Sequence, residues 1–254
     1  KPAVNLLSDL EIVREYHNLN PSILLEMNMV LRECPLIKQI TKLINDNYFG
    51  EIYSVDLSYY WGRTWKFDEW RSLDDNYNII TGAGIHLIDL LYDWHELDLE
   101  ILEVTKSDIS RKIGKSPSTV KISSRSRKNG GLISFNIFGP SSHPHHHQIS
   151  ILGSDASFQL NSSQALIYKK LNSKKNEKND FDLPIDNISR IVDYKNSFNK
   201  IVFELNSCYP RKDTRHLLFK NFIESIKLEK INTKRMLRLF KVMDYCFECI
   251  DRLR

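Results

Sequence analysis

The stretch "TGAGIHLIDLLYDWHE" (81–96) holds an imidazole in a setting that admits chemistry. Read as a helix from about Thr81, it sets Ile85, Ile88, Leu91 and Tyr92 on one stripe. His86, Asp89 and Asp93 fall on another, at spacings of three and four. A side chain that titrates near neutrality can take or give a proton at a reacting hydroxyl. A histidine beside an apolar stripe is more often a satisfied core residue, so the stretch alone leaves both roles open. Gly82 and Gly84 admit a second reading, the G-x-G of a phosphate-cradling turn. Against it, Leu87 stands where the third glycine belongs, and "RSLDDNY" (71–77) is too polar for the buried strand that such a turn follows.

Two other clusters have the right types for metal chemistry but the wrong company. "HPHHH" (143–147) precedes a strand with no cysteines or carboxylates gathered near it, so adventitious binding is the expectation. "CFEC" (246–249) lies in a helical pattern, and Cys34 and Cys208 do not supply a second close pair. Two small apolar residues on a packed helix are expected there, and no metal.

The elements that must position these residues change character along the chain. Ser8 reads as the N-cap of a helix to about Asn18, with Leu10, Ile12, Val13, Tyr16 and Leu19 as its apolar positions. "SILLEMNMV" (22–30) has the length and composition of a short strand, and Pro35 opens a helix carrying Leu36, Ile37, Ile40, Leu43 and Ile44. "EIYSVDLSYYW" (51–61) alternates as a half-buried strand does. From about residue 99 a run of alternating segments, punctuated by Asn129-Gly130 and Gly153, predicts one open antiparallel sheet. Its apolar content predicts an exposed face that pairs with another subunit. The polar stretch 171–187, with Pro184, reads as a mobile loop. Two helices close the chain, the last from about Asn232 to Leu253 with Met236, Leu239, Phe240, Met243, Cys246, Ile250 and Leu253 at helical spacing.

Composition sets the bounds. With 254 residues, 41% of them hydrophobic, the chain can bury one large core or two modest ones. Lys and Arg exceed Asp and Glu by only 36 to 32, an excess spread too thinly to mark a nucleic-acid surface. No apolar run approaches the roughly 20 residues of a membrane span. The expectation is a soluble, cytoplasmic protein with no nucleic-acid and no membrane partner. The first residues are Lys1-Pro2 rather than Met, with only a few residues before the first helix pattern.

"KP" at 1–2, the Asn and Arg of "EMNMVLRECP", "INDNYFGEIYSVDLSYYWG", "GAGIHLIDLL" and "HQISILGSDASFQL" follow one another in an order and spacing that resemble the Gfo/Idh/MocA family of nicotinamide-dependent sugar oxidoreductases. The resemblance implies an α+β fold in which an open, mostly antiparallel sheet flanked by helices follows a dinucleotide-binding Rossmann domain. Residues 1–30 then resemble the end of that Rossmann domain, without its glycine-rich loop. Residues 31–254 resemble the C-terminal domain that binds substrate and forms homo-oligomers. By the same resemblance the complete protein uses NAD or NADP on a sugar or sugar nucleotide, and this chain alone lacks most of its cofactor domain. A non-catalytic sugar-binding or assembly module derived from such an enzyme is the alternative.

Carried over residue by residue, Lys1 resembles the active-site lysine, with Pro2 beside it at the cofactor, and His86 resembles the histidine that exchanges the hydroxyl proton. The substrate set implied comprises Trp61, Arg63, Trp65, Arg71, Asn78, Thr81, Gly82 and Asp89. Within "YYWGRTWKFDEWR" (59–71) the aromatics would stack on sugar faces while Arg63 or Arg71 pairs with phosphate or carboxylate. A solvated loop anchored by its tryptophans is the other reading. One departure stands out: many members carry an aspartate four residues before the histidine, and here that residue is Gly82, which leaves Asp89 as a substitute carboxylate.

Overall fold

The computed structural model describes residues 3–107, 112–170, 189–194, 198–203, 216, 219–224 and 233–253. Helix α1 (Leu7–Leu19) is followed by α2 (Pro35–Asn45), strand β1 (Ile52–Tyr60), a short α3 (Trp70–Leu73) and α4 (Ile85–His95). Strands β2 (Leu99–Lys106), β3 (Thr119–Ser126), β4 (Leu132–Phe138), β5 (His146–Gly153), β6 (Ala156–Leu160), β7 (Ala165–Lys170), β8 (Ser189–Tyr194) and β9 (Phe198–Phe203) come next, and α5 (Thr233–Asp251) closes the described chain.

The strands form one nine-stranded sheet in the order β2-β3-β4-β1-β5-β6-β7-β9-β8. Every neighbouring pair is antiparallel except β1 with β4. The strands expected from residue 99 are therefore present, but β1 inserts at the centre of the sheet, parallel to β4. Its alternation explains the burial: Val55, Leu57 and Tyr59 point to one face. Register then aligns a buried row across six strands, Ile122, Phe135, Leu57, Ile149, Leu160 and Ala165. A one-residue slip of β1 would turn all three of its core residues to the other side.

Helices α2, α4 and α5 cover that row. Pro35 at the first turn of α2 leads Leu36, Ile37, Ile40 and Leu43 into the core. The Trp94 indole donates to Thr41 Oγ1 at 2.9 Å, joining α4 to α2, and Ser124 Oγ lies 2.6 Å from Tyr245 Oη, joining β3 to α5. The other face of the sheet is hydroxyl- and amide-rich at its centre: Ser54, Asp56, Ser58, Ser134, Asn136, Gln148 and Ser150 alternate with the core residues. Among the strand residues whose burial is described, the large apolar side chains that stand exposed are Tyr53, Leu102, Leu132 and Leu152, with Leu132 and Leu152 both opposite Ser54. The apolar residues of "GLISFNIFG" are consumed by the core, where Ile133, Phe135 and Ile137 are buried.

Three local expectations need correction. Residues 22–30 form no strand; Met27 and Met29 are buried by packing, and a 3-10 turn follows at Val30–Glu33. Ile23, Leu24, Leu25 and Val30 are half-buried beside these methionines, and the run joins no ladder among the described residues. The cap of α1 is Leu6, without a side-chain hydrogen bond, so Ser8 sits inside the first turn. Of the apolar positions of α1 only Leu10 is buried, while Ile12, Tyr16 and Leu19 are exposed. The stretch 171–187 and Cys208 lie outside the described residues. Cys246 and Cys249 are buried on the helix as expected, with burial pushing their thiols up and out of reactive range, and Cys34 is buried as well.

His95, at the end of α4, adds a pH dependence. Burial, aided by the Lys128 charge, lowers its pKa from 6.5 to about 4. The unfolded chain thus takes up a proton that the folded chain refuses, and stability present above pH 6.5 drains as pH falls toward 4. Melting temperature should decline over that window, and less steeply in His95→Gln.

Candidate functional site

The start of α4 is built by its neighbours. Asn78 Oδ1 accepts the Ile80 N–H at 2.9 Å, and its carbonyl accepts from Gly82 N at 2.8 Å and Thr81 Oγ1 at 3.0 Å. Asn78 and Thr81, expected at the substrate, are here bonded to one another and to the start of this helix. Ile79 N donates to the buried Ser116 Oγ at 2.9 Å, which pins the turn to the loop before β3. A π-turn at Ile80–Gly84 then runs into the α-helix, a local widening often found at functional sites.

The two glycines of "TGAGIH" serve close packing. A Cβ on Gly84 would overlap Ile137 Cδ1 of β4, and one on Gly82 would stand 2.5 Å from ring carbons Cε2 and Cζ of Tyr77. Both approaches need the missing side chain. The stretch is a helix pressed on the sheet, and no phosphate cradle opens at it.

Beyond the turn almost every residue of α4 is buried, including His86 at 7% and Asp89 at 1% exposure. The apolar and polar stripes read from the sequence therefore both face protein. Asp89 sits in an ion network. Arg238 of α5 donates from Nε to Asp89 Oδ1 at 2.6 Å and from Nη2 to the Asp89 carbonyl at 2.7 Å. Its Nη1 reaches both carboxylate oxygens of Asp93, at 2.9 and 3.0 Å. Arg32 adds a contact to Asp89 Oδ1 at 3.3 Å and pairs with Glu26. Burial pushes the Asp89 carboxyl up while Arg238 and Arg32 pull it down, and Arg238 is held above its ordinary value. Asp89 Oδ1 is thus occupied by guanidinium, a role that clamps α4 to α5 and to the turn at Arg32.

Trp61 is buried and Trp65 is exposed, with the Lys66 ammonium 4.8 Å from its ring centre. Arg63 is half-buried, and its charge acts on the Tyr59 phenol, whose pKa burial pushes up. Lys1 and Pro2 lie outside the described residues, as does the side chain of Arg71. Asn5 Nδ2 donates to Asp74 Oδ2 at 2.8 Å, which ties the chain just after them to the loop entering α4.

The partners of the "HPHHH" segment carry no local signal in the sequence. The segment lies against the Trp61–Arg63 turn, where Gly62 (φ +57°) lets the backbone of His143–His145 approach. Tyr59 Oη is 2.8 Å from His145 Nε2 and its ring stacks on His147 at 4.5 Å; Tyr60 stacks on His146 at 4.5 Å. Among the described residues no group of His, Cys, Asp and Glu could hold a metal ion. Alternation at β1 and β5 could have paired these rings once their register was known.

No family model matches the chain, and no curated protein does. Solved structures match across most of its length. The WlbA dehydrogenase from Bordetella pertussis, solved with NADH and UDP-GlcNAcA, superposes with TM-score 0.65 at 17% identity, over 95% of this chain and 64% of its own. The UDP-N-acetylglucosamine 3-dehydrogenase GnnA from Acidithiobacillus ferrooxidans gives 0.67 at 12%, over 100% and 69%. A scyllo-inositol dehydrogenase from Lactobacillus casei, with bound NAD(H) and scyllo-inositol, gives 0.68 at 9%, again over 100% and 69%. The fold is that of Gfo/Idh/MocA-type dehydrogenases, as the sequence resemblance implied. The chain spans about two thirds of the length of these neighbours.

Proposed function

We propose that the chain is the substrate-binding and catalytic part of an NAD- or NADP-dependent oxidoreductase acting on a hydroxyl or carbonyl of a sugar or sugar nucleotide. The observation that carries this is His86, buried in the first turns of α4 within a fold shared with dehydrogenases solved with NADH and UDP-GlcNAcA or with NAD(H) and scyllo-inositol. In this reading His86 takes the proton of the substrate hydroxyl, and Lys1 stabilises the developing alkoxide. Trp61, Trp65, Arg63 and Arg71 bound the substrate from the β1–α4 connection. Asn5, four residues after Lys1, is tied to the same connection through Asp74.

The turn at Gly82 and Gly84 does not fit the pyrophosphate of a dinucleotide, because Tyr77 and Ile137 close on it. We therefore assign cofactor binding to a segment preceding Lys1, with residues 1–30 as the end of a Rossmann domain and 31–254 as the domain that follows. Calorimetry should find no micromolar binding of NAD(H) or NADP(H) to the 254-residue chain, and binding once the upstream coding sequence is included. Micromolar affinity of the shorter chain would overturn this division. Absence of binding and turnover in the longer one would favour a non-catalytic sugar-binding or assembly module. The uncovered face of the sheet is the surface we assign to homo-oligomerisation; light scattering at micromolar concentration should show a dimer or larger, and a monomer would remove the assignment. No helix among the described residues is long and apolar enough to cross a membrane, and a cytoplasmic location fits this chemistry.

A further inference from the structure

The "HPHHH" segment (143–147) forms a set of interlocked rings that has no part in the proposed reaction. Register sets His147 opposite Tyr59 and His146 opposite Tyr60, so His147 joins the helix-covered face of the sheet and His146 the other. Tyr59, 3% exposed, engages two imidazoles at once: His147 stacks on its ring at 4.5 Å, and His145 Nε2 lies 2.8 Å from its Oη. The centres of those two imidazoles are 5.5 Å apart. Arg63 of the following turn and Tyr77 of the loop before α4 both act on the Tyr59 phenol, while His143 and His146 gather on Tyr60. The same segment is the seat of the Trp61–Arg63 turn. A Cβ on Gly62 would overlap the His143 carbonyl and stand 3.1 Å from His145 N, and Trp61 N donates to the Phe138 carbonyl at 2.9 Å.

We propose that His145 and His147 form a pH-sensitive latch: neutral, they hold the Trp61–Arg63 turn against the start of β5, and when both are charged they release it. The consequence for catalysis rests on the reading in which Trp61 and Arg63 bound the substrate. Burial keeps the Tyr59 phenol protonated, so its O–H can donate to Nε2 of a neutral His145. A proton on that nitrogen reverses the bond and turns the phenol hydrogen away from its acceptor inside the protein. One imidazolium is tolerated, since the Tyr59 ring attracts a cation over its face. The second adds a like charge 5.5 Å from the first, beside Arg63, around a phenol that cannot ionise to offset them. Each ring is thus harder to charge when seated than when free. The seat is held in full above an imidazole's ordinary value of about 6.5 and weakens as pH falls below it.

Hydrogen exchange of the 254-residue chain, read by mass spectrometry from about pH 7.5 to about pH 5.5 and corrected for the intrinsic pH dependence of amide exchange, tests this. Amides at 61–66 should lose about tenfold in protection, the effect of one imidazole displaced by one pH unit, while those of α2 hold theirs. In the double variant His145→Gln, His147→Phe, glutamine keeps a hydrogen bond for Tyr59 and phenylalanine keeps the stack, so the turn should stay protected throughout. Unchanged protection in the native chain, or an equal loss in the double variant, overturns the proposal. If the double variant does not fold, Arg63→Gln decides: removing the third positive charge should move the transition to lower pH, and an unmoved transition overturns the latch. The exchange needs neither substrate nor cofactor, so a latch that opens in a protein inactive on sugars still stands, and only its link to catalysis falls.

Discussion

Arg238→Ala is expected to cost about 3–5 kcal/mol of folding stability, the penalty of leaving a buried carboxylate without its partner. The guanidinium makes four contacts to α4, two to Asp89 and two to Asp93, and it also lies 5.2 Å from the Tyr92 ring centre. Asp89 keeps only Arg32, at 3.3 Å, when Arg238 is removed. Adding Asp89→Asn should recover part of the loss, since the unpaired charge is then gone, so the two substitutions should be strongly non-additive. Urea unfolding of both single variants and the double variant measures this. Equal and additive losses would mean that Arg238 acts through packing of its aliphatic stem and not through charge.

How much of this was legible in the sequence differs sharply between α4 and its partners. The periodicity of Ile85, Ile88, Leu91 and Tyr92 announces a helix, and the polarity of "RSLDDNY" correctly excludes a strand before it. Arg238, 149 residues from Asp89, carries no local signal, since an arginine between Leu237 and Leu239 reads like any solvated position on a helix. Tyr77 is hidden for a similar reason: that glycine at 82 makes room for an aromatic five residues earlier depends on the path of the loop between them. The central place of β1 also escapes sequence reading. Its alternation shows a strand with one buried face, but pairing with β4 in parallel is set by a crossover through α4, β2 and β3, and local pattern says nothing of which distant edge a strand will fill. The apolar run at 22–30 misleads because burial and strand formation leave the same composition when the segment is short.

His86→Asn should lower turnover of the cofactor-complete enzyme by about 10²- to 10⁴-fold, the range that loss of a general base costs. The fold should survive. Asparagine is polar and smaller, and the helix that carries it is held from outside the site, by Asn78 at its start, Thr41 through Trp94, and Arg238 through Asp89 and Asp93. None of those contacts passes through the imidazole, so the melting temperature should move little. A base must be neutral to accept a proton, and oxidation of the sugar should therefore slow as pH falls and the imidazole charges, a limb that His86→Asn should abolish. KM should change less than kcat, because the lost interaction belongs to the proton in flight and not to the bound sugar. Steady-state kinetics across pH, paired with a melting curve, decides between the two roles that the sequence left open. A variant that melts far lower while its folded fraction turns over normally makes His86 a core residue, and the proton then has to be assigned elsewhere in the site.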